Sequence, residues 1–119
     1  MSAHFNAHMG KMSKELGEQT GKTFRNIYSD SMEGVSPNWT SSFVQEFIKR
    51  CGYDPLPWLP TLTGQIVETE EQTDRFLWDF RRTIGDLIAE NFYGLFKDMS
   101  NKPGLEFIAQ APGPGAGVP

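Results

Sequence analysis

The chain has 119 residues, 38% of them apolar, with a net charge of −4 and a pI near 5.1. That length holds one domain with one modest core, and it is about half of the roughly 250 residues that a closed (β/α)8 barrel uses. The acidic balance gives no electrostatic footprint for nucleic acid, and no apolar run approaches the ~18 residues that would read as a membrane span.

The N-terminal MSAHFNAHMGKMSK lacks the apolar centre of a signal peptide. Phe5, Met9, Met12 and Leu16 instead fall on one helical stripe, which Gly17 and Gly21 stop. Thr23 to Tyr28 follows, alternating and rich in β-formers, as a short strand ending near Asp30. Ser36-Pro37-Asn38 is turn chemistry. Thr40 is placed to cap the next helix, with Trp39 before it and Val44 as a hydrophobic-staple partner. Phe43, Val44, Phe47 and Ile48 form the stripe of that helix, and Gly52 closes it. The segment GYDPLPWLPTLTG carries Pro55, Pro57 and Pro60, which remove backbone donors and restrict their neighbours. It reads as a compact loop with one short turn. Thr69-Glu70-Glu71-Gln72 fits a capping box and opens the longest helix. Phe76, Phe80, Ile84, Leu87, Ile88, Leu95 and Met99 keep one face of it apolar until Pro103-Gly104. Leu105 to Gln110 is a second strand, running into the tail APGPGAGVP.

Strands separated by helices pair in parallel, and parallel strands want cover on both faces. Two such strands with helices make a poor independent fold. The expected architecture is therefore α/β, mainly helical, with two parallel strands forming a segment of a (β/α)8 barrel. The division expected is an N-terminal helix over 1–20, the barrel segment over 21–111 and a Gly/Pro-rich tail over 112–119. An isolated slice of this kind would self-associate through its uncovered apolar stripe.

Several motifs offer chemistry that their context withdraws. GEQTGKT has three residues between its glycines where a phosphate loop needs four, and the order of helix and strand is reversed. His4 and His8 stand at a zinc-compatible i, i+4 spacing, but no carboxylate follows His4. The single cysteine, Cys51, excludes an internal disulfide and a Cys-based zinc site, and reads as a small apolar residue near a helix end. Asp79 and Arg82 read as i, i+3 partners on a solvated helix face, and Trp58 and Trp78 as packing residues. No metal site is expected from these residues.

Strand ends carry the remaining signal. In α/β barrels the reactive side chains project from the C-terminal ends of strands. Asp30 and Glu33 sit just past the first strand, and Gln110 at the end of the second. Glycoside hydrolysis needs an acid that protonates the leaving oxygen and a second group on the opposite side. Tyr28 and Trp39 are available to stack on sugar C–H faces. A polar turn at Asp30 and a solvated loop at Glu33 explain the same pattern without chemistry.

From about Gly21 to Gly115 the chain resembles part of the catalytic barrel of the α-L-rhamnosidases of glycoside hydrolase family 106. The matching stretches are YSDSMEG, NWTSSFVQEFIKRCGYDPLPWLPTLTG, TDRFLWDFRRTIGDLIAENFYGLF and GLEFIAQAPGPG, in that order. The resemblance implies cleavage of terminal α-L-rhamnosyl residues from plant or bacterial glycans or glycosides, with inversion and with calcium in the full-length parent. It places the general acid on Glu33, with Asp30 and Ser31 matching the residues before it; Met32 stands where an aromatic is common. Gln110 stands where the family often has glutamate; an amide cannot act as a base, but it can hydrogen-bond a sugar hydroxyl. Asp30, Ser31, Trp39 and Gln110 are accordingly the expected substrate contacts, and the base falls outside this chain. The family is typically secreted or periplasmic. The chain alone is expected to be inactive, completed by the remainder of the barrel. Two other readings stay open: a helical protein-interaction module using the Phe76–Met99 stripe, and a non-catalytic carbohydrate-binding remnant using Trp39, Tyr53 and Gln110.

Overall fold

The computed structural model describes residues 2–30 and 38–110, which fall into two compact units. One holds residues 2–30 together with 88–110; the other holds residues 38–87.

The first unit is a two-stranded parallel sheet backed by helices. Helices α1 (Ser2–Phe5) and α2 (Lys11–Leu16) are joined by a π turn over Asn6–Gly10. Strand β1 is Asn26–Ser29, shorter than the alternating stretch suggested, and β2 is Glu106–Ala109. Helix α5 (Leu95–Asn101) leads into β2. The strands pair in the register Asn26↔Glu106, Ile27↔Phe107, Tyr28↔Ile108 and Ser29↔Ala109. Because side chains alternate along a strand, this register sorts residues cleanly by face. Ile27 is buried and Phe107 packs beside it, in a core shared with Phe5, Met99 and Leu105. Phe96 stacks on Phe107 with ring centres 5.5 Å apart. Tyr28 and Ile108, on the opposite face, are 61% and 46% exposed.

The N-terminal stripe is only half used. Phe5 is buried and Met9 packs on the core, but Met12 and Leu16 are both exposed. The π turn explains this, since its wider winding shifts the phase of every later side chain. Gly21 sits at φ +82°, and a Cβ there would come within 3.3 Å of the Gly104 carbonyl oxygen, so glycine suits both the conformation and the close approach.

The second unit is an aromatic cluster between α3 (Phe43–Cys51) and α4 (Glu70–Ile88, whose last residue belongs to the first unit). Phe43, Phe47, Phe76 and Phe80 are all buried, while Ile48 is exposed and lies off the packed stripe. Gly52 ends α3 at φ +83°, its N–H donating to the Ile48 carbonyl. The start of α3 departs from the sequence expectation. Thr40 contributes its backbone carbonyl to the Phe43 N–H, the flanking residue is Ser42, and no side chain caps the helix. Trp39 packs on Phe43, ring centres 4.9 Å apart.

The proline-rich segment is more regular than one turn. Leu56–Thr63 is a 3-10 helix, opened by the Leu56 N–H donating to Asp54 Oδ1. Proline φ suits this geometry, and its missing N–H costs little in a first turn. Pro55 and Thr61 are buried, and Trp58 stacks on Phe76 at 6.1 Å, which bears out its packing role.

Helix α4 opens with half of its capping box, the Gln72 side chain meeting the Thr69 hydroxyl instead of the Thr69 N–H. The Gln72 N–H donates to Thr69 Oγ1 at 3.2 Å, and that hydroxyl donates to Gln72 Oε1 at 3.0 Å. One turn on, buried Thr73 exchanges hydrogen bonds with both backbone groups of Val67. Thr69→Ala is expected to cost about 1 kcal/mol, read as a lower urea midpoint at unchanged slope. An unmoved midpoint would mean water replaces the cap. The backbone stays helical beyond α4 through a π turn over Ala89–Gly94 into α5.

Candidate functional site

Parallel pairing decides what the strand ends present. The Gln110 N–H donates to the Ser29 carbonyl at 3.1 Å, extending the ladder one residue past β2. Asp30 and Gln110 therefore leave the sheet side by side at its C-terminal edge, both exposed. The Tyr28 hydroxyl donates to Gln110 Oε1 at 2.8 Å, tying the exposed sheet face to that edge. Asn26 and Glu106 pair on the same face: with the Asn26 amide turned to suit its partners, its NH2 donates to Glu106 Oε2 at 3.0 Å. One face of the sheet thus carries a polar ladder, and the other carries the core.

Of the residues singled out in the sequence, Asp30 and Gln110 share this edge. Ser31 and Glu33 lie outside the described residues. Trp39 belongs to the other unit, where it is 44% exposed and seated on Phe43. Tyr53 is half-buried; its ring meets Phe47 edge-on at 5.1 Å, and its hydroxyl donates to Asp79 Oδ2 at 3.0 Å. Burial and that hydrogen bond push the Tyr53 phenol well above its ordinary range.

The mixed-charge face of α4 is arranged differently from its sequence reading. Asp79 is the acceptor for Tyr53, and Arg82 pairs with Asp86 at 3.7 Å. Arg82 also lies 5.1 Å from the ring centre of Trp78, which is 58% exposed and so is not a packing residue. Cys51 stands at the end of α3 with Sγ 3.6 Å from Thr83 Oγ1. Burial pushes its thiol up, away from the thiolate that a nucleophile needs. His4 and His8 lie ring to ring at 4.7 Å. Among the described residues, no three His, Cys, Asp or Glu side chains converge as a metal set.

The Tyr28–Gln110 bond was missed in the sequence, although a signal existed. Once β1 and β2 are paired, Tyr28 stands opposite Ile108, and Gln110 is two residues further along the same face.

The family model described as alpha-L-rhamnosidase, glycoside hydrolase family 106, matches residues 1–117. The chain belongs to this family. A solved structure similar to this glycoside hydrolase segment is the rhamnosidase from Novosphingobium sp. PP1Y, with TM-score 0.73 and 39% identity. The match covers 88% of this chain and 10% of that one. A protein of Formosa agariphila named "Putative beta-glucuronidase" is 50% identical over 96 residues, 81% of this chain and 8% of its own length. The family-106 chain thus spans about a tenth of these relatives, and it has the mainly helical, two-parallel-strand form of a rhamnosidase segment.

Proposed function

We propose that this chain is a catalytic segment of a glycoside hydrolase cleaving terminal α-L-rhamnosyl residues, forming part of a (β/α)8 barrel. Glu33 protonates the departing oxygen, and the reaction inverts the anomeric centre. Asp30, Ser31 and Gln110 hold sugar hydroxyls. The observation that carries this reading is the parallel register, which brings Asp30 and Gln110 to one C-terminal strand edge. In barrels that edge holds the reacting groups, and Glu33 follows Asp30 by three residues. The uncovered face with Asn26, Tyr28, Glu106 and Ile108 suits a barrel interior, since the helices already cover the other face.

Gln110 is an amide and takes no part as base, so the water-activating carboxylate comes from elsewhere in the barrel. Inversion sets the spacing of that pair at ~6.5–9.5 Å, leaving room for the water. The full-length parent would bind calcium; among the described residues no three acidic side chains converge to form a whole ligand set for it.

The test replaces the matched segment of the Novosphingobium rhamnosidase with this chain. The chimera is expected to hydrolyse α-L-rhamnosides. A chimera that folds, as judged by its melting transition, yet releases no rhamnose would overturn the reading.

A further inference from the structure

We infer that Tyr28 is a positioning residue for Gln110, fixing its amide so that the NH2 group is offered to the sugar as a donor. The inference rests on the rhamnosidase reading above and deepens it. Tyr28 occupies the uncovered sheet face, and its hydroxyl donates to Gln110 Oε1 at 2.8 Å. An amide has one acceptor end and one donor end. With the acceptor end engaged by the phenol, the NH2 is the end left to meet a ligand at the strand edge that Gln110 shares with Asp30.

That orientation has a chemical consequence. A carboxylate side chain such as Asp30 accepts hydrogen bonds from sugar hydroxyls but donates none when ionised. Gln110 supplies the complement, an N–H for a lone pair on a hydroxyl or ring oxygen. The two neighbours at this edge therefore recognise opposite halves of a sugar's hydrogen-bonding pattern. A carboxamide does not titrate near neutral pH, so the donor persists across the working range. A fixed Gln110 also loses less rotamer freedom on binding than a free one.

The experiment uses the chimera in four forms: unaltered, Tyr28→Phe, Gln110→Ala and the double variant. Tyr28→Phe keeps the ring and removes only the hydroxyl. It is expected to raise KM for an α-L-rhamnoside five- to tenfold, with kcat within twofold. Gln110→Ala should do the same, and the double variant should add less than a further factor of two. Additive losses would mean that Tyr28 meets the sugar by itself, and an unchanged KM would mean that the hydroxyl does nothing; either overturns the inference. A crystal structure of the unliganded Tyr28→Phe form reads positioning apart from turnover. Gln110 should spread over more than one rotamer, and a single unchanged rotamer would count against us. An inactive but folded unaltered chimera would sink the function, and the unliganded structure would still decide the positioning. A smaller graft of residues 26–30 and 106–110 serves if the larger exchange does not fold.

Discussion

Glu33→Gln in the chimera is expected to lower kcat by about 10²–10⁴ on rhamnosides whose leaving group is an alcohol or another sugar. The reason is proton demand. An alkoxide is too basic to depart unassisted, so the transition state needs a proton delivered to the glycosidic oxygen. A dinitrophenolate leaves without one, and on that substrate the same variant should lose only a few-fold. Equal losses on both substrates would mean that Glu33 shapes the pocket rather than donating a proton. No loss on either would remove it from the chemistry. To act as the acid at near-neutral pH, Glu33 must hold its proton, through partial burial or a neighbouring carboxylate such as Asp30. The anomer released first tests inversion independently. An α-L-rhamnoside should yield β-L-rhamnose before mutarotation, and α-L-rhamnose would overturn the inverting mechanism while leaving Glu33 as an acid.

The parts of this molecule that were legible in the sequence are those whose physics is local. The capping box at Thr69 and Gln72 is local, and its first half forms, the Gln72 N–H donating to Thr69 Oγ1. Gly52 and Gly104 adopt the left-handed backbone that stops a helix. The aromatic stripe of α4 was readable because Phe76, Phe80 and Ile84 keep helical spacing, and all three are buried. Where a choice depended on a distant partner, the sequence was silent. Asp79 had a plausible neighbour in Arg82, but its hydrogen bond comes from Tyr53, 26 residues away. Trp78 and Trp58 are the same residue type, and only tertiary placement exposes one and stacks the other on Phe76. The prolines of residues 55–60 suggested irregularity, because each removes a donor. In a 3-10 helix, however, the surviving bonds close the turns from the Trp58 N–H to Pro55 and from the Gly64 N–H to Thr61.

The candidate site follows the same division. Asp30 and Gln110 were assigned to strand ends from local pattern, and the register brings them to one edge. Trp39 looked like a rim aromatic by its nearness to Asp30 in sequence, yet it belongs to the other compact unit. The Asn26–Glu106 pair drew no notice because neither residue is unusual in isolation. Cross-strand contact alone makes them a feature.

The second large effect concerns the aromatic core of residues 38–87. Phe47→Ala is expected to destabilise this unit by ~3–5 kcal/mol, a large share of the ~5–15 kcal/mol that holds a typical domain folded. Phe47 has no exposed surface, and its ring meets Phe43 at 6.1 Å, Tyr53 at 5.1 Å and Phe76 at 5.9 Å. Truncation removes one ring from each of these contacts and leaves a void that stiff aromatic neighbours cannot close. Leucine at this position should recover part of the loss by filling much of the volume without the edge-to-face geometry. Trp78→Ala is the control. It deletes a larger side chain from the same unit, but one that is 58% exposed and has Arg82 5.1 Å from its ring centre, so the cost should stay within ~1 kcal/mol. Urea unfolding of the 119-residue chain, followed by near-ultraviolet circular dichroism, ranks the three variants. Comparable losses for Phe47→Ala and Trp78→Ala would mean that side-chain size rather than burial sets the stability, and the aromatic cluster would not be the core of this unit.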